Sequence, residues 1–347
     1  MCFNMGMETE VLQVNPDEIE MEAVRRAAEV LRGGGLVAFP TETVYGLGAN
    51  ALDATAVARI FEAKGRPANN PVIVHVSDTE AAQALVTDWP ESAQKLAERF
   101  WPGPLTIVLP KTADIPDIVT GGGPTVALRV PAHPIARALL QEAGVPIAAP
   151  SANRSMQLSP TRAAHVLRGL NGRIDLLLDG GPAAGGLEST VIDLTSTPPR
   201  LLRPGLITPA ALESVIGPIT RAQENVGTNG PLPSPGMMER HYAPRAGLET
   251  VQENGRERVE VLCRVGLKVG WLAFPSGVRL FRGSGGGLQT LMIIEMPDSP
   301  EAYASRLYAA LYELDEAGVD RIIVSLPPEA DDWLAVRDRL RRAATTE

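Results

Sequence analysis

A compositional break after Ile216 constrains this chain most. From Gly217 to Pro235 the sequence is rich in Gly, Pro, Asn and Ser, has little hydrophobic period and ends in Pro231, Pro233 and Pro235. Apolar runs punctuated by turn residues lie on both sides of it. With 347 residues, the chain also exceeds the length of one typical core. The expected organisation is a domain over 11–216, a linker over 217–245 and a smaller domain over 246–347. The Pro-rich run stiffens just before His241-Tyr242-Ala243-Pro244. Such a segment suits a lid over a ligand, or else simply packs the two domains together.

In the first part, Pro16 to Arg32 carries Ile19, Ala23, Ala27, Val30 and Leu31 at helical spacing, and Gly33 to Gly35 suit its C-terminus. Asp53 can cap a helix through Lys64, and helices are also expected over Thr79–Val86, Glu91–Phe100 and Ile135–Glu142. Ser159 with Pro160 reads as an N-cap and first-turn pair for a helix to Leu167. Short apolar runs predict strands at Leu36–Phe39, Val72–Val76, Leu105–Leu109, Thr125–Val130, Pro146–Ala149, Ile174–Leu178, Thr190–Leu194 and Leu201–Leu202. Helices and strands are mixed rather than strictly alternating, which predicts an α/β domain on a twisted mixed sheet. Beyond Arg245 the pattern is helix, strands Val269–Phe274 and Thr290–Met296, helix Pro300–Glu316, strand Arg321–Ser325 and helix Asp331–Arg342, an open Rossmann-like α/β unit. Its glycine run Gly283–Gly287 lies in an expected loop and is no dinucleotide fingerprint.

Composition narrows the function classes. A net charge of -9 argues against a protein whose main task is to coat nucleic acid. Cys2 and Cys263 cannot build a disulfide framework or a four-cysteine zinc site, and His75, His133, His165 and His241 lack ligand spacing, so no protein-held metal is expected. Neither a membrane-length apolar run nor a leader pattern at Met1–Glu10 is present, which predicts a cytoplasmic protein.

The chemistry-bearing residues cluster where strands end. Pro40 to Gly48 places hydroxyls, a carboxylate and two glycines after a strand, either as a ligand loop or as a plain strand-to-helix connection. Lys64-Gly65-Arg66-Pro67 closes a helix with two cations, which either cap it or reach for polyphosphate. Arg129 lies in an otherwise apolar strand and must meet either a protein carboxylate or a ligand anion; the ligand is the favoured partner. Ala149 to Asn153, Ser159, the Gly180–Val191 loop and Arg203 add further polar strand ends, with turn capping as the plain alternative for Ser159.

In chain order, Pro-Thr-Glu-Thr-Val-Tyr-Gly-Leu-Gly from Pro40, Lys64–Pro67, Asn70-Pro71, Trp101–Thr106, Arg129–Pro131, Pro150–Asn153, Glu188–Thr190 and Arg203–Gly205 resemble the YrdC-like domain of threonylcarbamoyl-AMP synthases. Ser234–Met237 and His241–Pro244 are similar to the linker of the long, two-domain members, although Met238-Glu239-Arg240 is less basic than their pattern. This resemblance implies a YrdC-like twisted mixed sheet followed by a Rossmann-like α/β domain. It also implies nucleotidyl transfer: L-threonine, bicarbonate and ATP give threonylcarbamoyl-AMP and pyrophosphate, with Mg2+ held mainly through the ATP phosphates. The product would pass to the tRNA threonylcarbamoyl transferase, with direct tRNA binding weak. Carried over by position, Thr43, His75, Arg129, Ala149 and Ser189 would hold threonine. Lys64, Arg66, Asn70, Thr125, Ser151, Asn153, Ser159, Arg203, His241 and Tyr242 would hold ATP. Two other readings are a double-stranded-RNA-binding protein and the carbamoyl-transfer domain of hydrogenase maturation proteins, which also carry zinc fingers that two cysteines cannot supply.

Overall fold

Short apolar stretches bounded by Gly and Pro become strands here, and the amphipathic stretches between them become helices. The computed structural model describes residues 8–221, 242–252, 255–277 and 290–344. His241, the linker residues 222–240 and Gly283–Gly287 lie outside the described residues. The chain divides into two compact units, the first comprising Met1–Ser155, Ser159–Ala184 and Glu188–Met237, the second Met156–Leu158, Gly185–Leu187 and Met238–Glu347.

Among the described residues the first unit has strands β1 (Glu10–Gln13), β2 (Val37–Phe39), β3 (Gly46–Asn50), β4 (Ile73–His75), β5 (Leu105–Pro110), β6 (Thr125–Arg129), β7 (Ile147–Ala148), β8 (Leu176–Asp179), β9 (Thr190–Asp193), β10 (Arg200–Arg203) and β11 (Thr220–Arg221). They form one mixed sheet in the order β1-β8-β2-β3-β7-β4-β6-β5-β9-β10-β11. Helix Met21–Arg32 buries Val24, Ala27, Ala28 and Leu31, and helix Pro134–Ala143 buries Ile135, Ala136, Leu139 and Leu140; together they cover Val37, Phe39, Leu176 and Leu178 in one apolar cluster. Asp53 caps helix Ala54–Lys64 by accepting from the amides of Thr55 and Ala56, and Gly65 ends it in the left-handed region at φ 63°.

The second unit carries β12 (Gly247–Val251), β13 (Val269–Ala273), β14 (Leu291–Glu295) and β15 (Arg321–Ser325), paired in parallel in the order β12-β15-β13-β14. This is the expected Rossmann-like arrangement. Helix Pro300–Glu316 starts at Ser299, whose hydroxyl accepts from the amide of Ala302, and Leu314 on it lies against Gly270, where a side chain would meet it at 2.7 Å. Among the described residues no helix is long and apolar enough to cross a membrane.

Several expectations need correction. Helix Pro16–Arg32 begins only at Met21, because Asn15 turns the chain before it, bridging to Glu18 and accepting from the amide of Asp17. The helix expected over Thr79–Val86 stops at Gln83. Ser159 and Pro160 do not start a helix: it runs over Ala163–Leu170, and the Ser159 hydroxyl instead meets Glu188. The first element after Arg245 is β12, with helix Arg256–Arg264 following it. Most important for the site, the Pro40–Gly48 motif is no strand-to-helix connection but the turn of a β2–β3 hairpin, with Val37 opposite Gly48 and Phe39 opposite Gly46.

Glycine hid β3, since Gly weakens a strand unless another group must come close. Here one must: a β-carbon on Gly48 would lie 2.7 Å from Ile147 Cγ2 and 2.8 Å from the Phe39 ring. Gly48→Ala is therefore expected to cost about 1–3 kcal/mol through overpacking, read as a lower urea midpoint at unchanged slope. An unchanged midpoint would show that Phe39 and Ile147 can yield.

Candidate active site

Register places three of the expected side chains, His75, Thr125 and Arg129, on one sheet face. β4 and β6 run parallel with Ile73 beside Ala127 and His75 beside Arg129; β5 lies antiparallel to β6 with Val108 opposite Ala127; β9 runs parallel to β5 with Val191 beside Thr106. Alternation along a strand then puts Thr125, Ala127 and Arg129 on the same face as Ile73 and His75. The middle of that face is apolar, with Ile73, Val108, Ala127, Val191 and Leu202 packed together. His75 and Arg129 stand at one end. Thr125 stands at the other, opening on a cavity of about 320 Å³ lined also by Val108, Thr120, Asp193 and Arg200.

Arg129 is buried and held from three sides. Its Nη2 donates to Glu42 Oε1 at 2.6 Å, its Nη1 to Thr43 Oγ1 at 3.0 Å and its Nε to the Gly103 carbonyl at 3.2 Å. The structure thus gives Arg129 a protein carboxylate, where a ligand anion was the favoured expectation. Three of arginine's five N–H groups are bonded among the described residues, leaving two for a further acceptor. Thr41 fixes Thr43: its hydroxyl donates to the Val44 carbonyl at 2.7 Å, so in the 2.8 Å contact between the two hydroxyls Thr43 is the donor. The Thr43 oxygen is thereby turned to accept from Arg129.

His75 is buried edge-on to the Phe39 ring. Burial, and secondarily the Arg129 charge, push its imidazole down to about 3, so it is neutral near pH 7, and its buried Nδ1 has no partner. Ser189 shares a 2.8 Å hydrogen bond with Thr106, and its hydroxyl and carbonyl both accept from Arg203 at 3.1 Å. The Ala149 amide donates to the Ile73 carbonyl, so only its carbonyl remains to meet a ligand.

The second group of residues is cationic. Lys64 is 2% exposed, and its ammonium donates to the carbonyls of Ser151 at 2.6 Å and Asn153 at 2.5 Å. It has no carboxylate partner among the described residues. Burial, then the charges of Arg66 and Arg154, hold it well below the ordinary lysine range. Arg66 turns back on its loop, donating to Asn70 Oδ1 at 2.6 Å and the Pro71 carbonyl at 2.7 Å. Asn153 donates through Nδ2 to the Arg154 carbonyl. Lys64, Arg66 and Arg154 thus lie near enough for their charges to interact. Ser159 lies buried with its hydroxyl 2.5 Å from Glu188 Oε1.

Tyr242, expected over the nucleotide, is buried in the second unit against the Tyr308 ring at 5.9 Å and under the Arg339 guanidinium at 5.2 Å. Sequence reading assigned no role to Glu42, Thr106, Arg154 or Glu188. Glu42 and Thr106 stand inside quoted motifs, but only the register shows that they reach Arg129 and Ser189. Among the described residues no group of three or more His, Cys, Asp and Glu side chains gathers in a metal-ligating arrangement.

His75 makes a pH prediction. The unfolded chain protonates it near about 6.5, the folded protein only near 3. Between these values the unfolded state binds more protons, so stability rises with pH across this window and is lost on acidification. His75→Gln should flatten that part of a urea-midpoint profile against pH; an unchanged slope would mean His75 protonates as easily when folded.

Comparison with known proteins accords with this geometry. Residues 29–205 match the Sua5/YciO/YrdC domain family, described as Telomere recombination, and residues 207–345 match the family described as Threonylcarbamoyl-AMP synthase, C-terminal domain. The chain is 46% identical to the threonylcarbamoyl-AMP synthase of Pyrococcus abyssi, over 94% of this chain and 96% of that protein. It is 44% identical to that of Bacillus subtilis, over 92% of each. A crystal structure of P. abyssi Sua5 complexed with L-threonine superposes with a TM-score of 0.88 at 45% identity, covering 97% of this chain and 98% of that one. Agreement of this extent, across both domains and in fold, means that the chain belongs to the threonylcarbamoyl-AMP synthase family of enzymes.

Proposed function

We propose that this chain is an L-threonylcarbamoyladenylate synthase, a cytoplasmic nucleotidyltransferase that converts L-threonine, bicarbonate and ATP to threonylcarbamoyl-AMP and pyrophosphate for tRNA modification. One observation carries the reading: a buried sheet face on which an arginine, hydroxyls and a neutral imidazole line one end, in a domain that also brings Lys64, Arg66 and Arg154 near one another. Similarity to a protein solved with L-threonine supports it.

In this reading the two remaining N–H groups of Arg129 hold the threonine carboxylate, with Thr43 and Ser189 beside it and the Ala149 carbonyl nearby. The unpartnered Nδ1 of neutral His75 accepts the substrate hydroxyl. Lys64, Arg66 and Arg154 face the phosphates, and Asn70, Thr125, Ser151, Asn153, Ser159 and Arg203 complete the ATP site. Once threonine's amine carries the carboxyl group of bicarbonate, that carboxylate attacks the α-phosphorus and pyrophosphate leaves, its charge balanced by the cations. Cations, hydroxyls and amides at the phosphate end, rather than a carboxylate cage, fit a Mg2+ that rides on ATP and neutralises its phosphates. The adenylate would then go to the tRNA threonylcarbamoyl transferase. An RNA-coating role is less favoured, because Lys64, Arg129 and Arg203 are at most 4% exposed and turned away from any large partner.

Purified protein should release pyrophosphate from ATP only when threonine and bicarbonate are both present. Serine should react more slowly by about 1–3 kcal/mol for its missing methyl; equal rates with every amino acid would sink the assignment. Arg129→Lys keeps the charge but loses the fork, so at about 1.5–3 kcal/mol per charged hydrogen bond threonine affinity should fall roughly tenfold or more. Calorimetry should show ATP affinity nearly unchanged. If threonine still binds as in the parent protein, Arg129 is structural only.

A further inference from the structure

Glu42, at the turn of the β2–β3 hairpin, meets Arg129 with one carboxylate oxygen only. Its side chain is 18% exposed, yet Oε2 is wholly buried and has no hydrogen-bond partner among the described residues. A buried carboxylate oxygen left unpaired is costly unless a donor arrives to meet it. Arg129, in contact with Glu42, keeps two N–H groups unbonded among the described residues. An α-amino acid has a carboxylate and an ammonium one carbon apart, which matches an arginine and a carboxylate in contact.

Resting on the synthase reading above, we propose that Glu42 is the ammonium ligand and proton acceptor for threonine, receiving the substrate nitrogen on Oε2 while Arg129 takes the substrate carboxylate. The step balances. Threonine's ammonium gives one proton to Glu42, and the freed lone pair forms the N–C bond to the bicarbonate carbon. The C–OH bond breaks, the departing hydroxide takes a second proton from nitrogen and leaves as water, and one N–H remains on the carbamate. Glu42 then releases its proton to solvent. Arg129 helps, because a second positive charge beside the ammonium favours loss of its proton.

The neighbouring groups fit the part less well. His75 also has a nitrogen without a partner among the described residues, but in the reading above that nitrogen accepts the substrate hydroxyl. His133, at the start of helix Pro134–Ala143, feels the Glu42 charge; burial outweighs it and keeps the ring below the ordinary histidine range, and its Nδ1 accepts from the amide of Ile135. Among the described residues, Arg129 and His133 are the charged or titratable groups whose charges act on Glu42.

The test separates nitrogen chemistry from phosphorus chemistry. Forming ATP from threonylcarbamoyl-AMP and pyrophosphate makes and breaks only P–O bonds, so it needs no acceptor for the ammonium proton. Glu42→Gln weakens the hold on Arg129 in both directions, but near pH 7.5 it should slow the forward reaction about 100-fold more than it slows ATP formation in reverse, the usual weight of a general base. The residual forward rate should climb with pH where the parent protein levels off, and Glu42→Asp should restore part of the forward rate. Equal loss in both directions by a Glu42→Gln protein that melts like the parent, or an unchanged forward rate, would overturn the proposal. If instead the parent protein makes no pyrophosphate from threonine and bicarbonate, the synthase reading itself falls.

Discussion

A guanidinium buried in a sheet must be held from several sides, and much of the first unit is arranged to hold Arg129. Removing such a charge from water costs several kcal/mol unless well-aimed acceptors replace the water. The three acceptors come from two places in the chain: Glu42 and Thr43 on the β2–β3 hairpin, and Gly103 ahead of β5. Gly103 is itself fixed by donating its amide to the Val130 carbonyl at 2.8 Å. Arg129 therefore ties a hairpin turn to a sheet strand, and the motifs at Pro40, Trp101 and Arg129 are one structural object.

The hairpin can bring Glu42 there only because its return strand is slim. Gly46 and Gly48 let β3 press against Phe39 on one side and Ala149 and Ile147 on the other. The same closeness sets the Ser151 loop, since the amide of Leu47 donates to the Pro150 carbonyl and that of Ala152 to the Tyr45 carbonyl. Lys64 then reaches the carbonyls of Ser151 and Asn153 from the end of its helix. Backbone packing of one glycine-bearing strand so links the arginine end of the site to the cation cluster.

Electrostatically the two ends differ in kind. At Arg129 the charge is matched by Glu42, and what remains unbonded is directional: two N–H groups, a carboxylate oxygen and an imidazole nitrogen. Lys64 has no carboxylate partner among the described residues, and carbonyl dipoles do part of the work of an anion. The first end suits a small zwitterion with a hydroxyl, the second a polyphosphate. The second unit, an all-parallel sheet with Trp271 buried and bonded to Ser325, folds around its own core.

Much of this was legible in the sequence. Periodicity located helix Ala54–Lys64, helix Glu91–Phe100, helix Pro300–Glu316 and most strands, and Asp53 marked the start of the first, because those signals are local: a hydrophobic stripe, a short apolar run, an Asp cap. The order of the motifs identified the family, and a single arginine in the apolar strand singled out β6 as one that must meet an anion. What only the tertiary structure decided is what touches what. Gly46–Asn50 becomes a strand, and Ser159 becomes the partner of Glu188 rather than a cap, because of neighbours far along the chain. That Arg129 has a carboxylate of its own, and that Glu42 keeps one oxygen unpaired, follows from a hairpin meeting a strand 87 residues away. No local pattern records such a meeting, because burial and hydrogen-bond pairing are set by long-range packing.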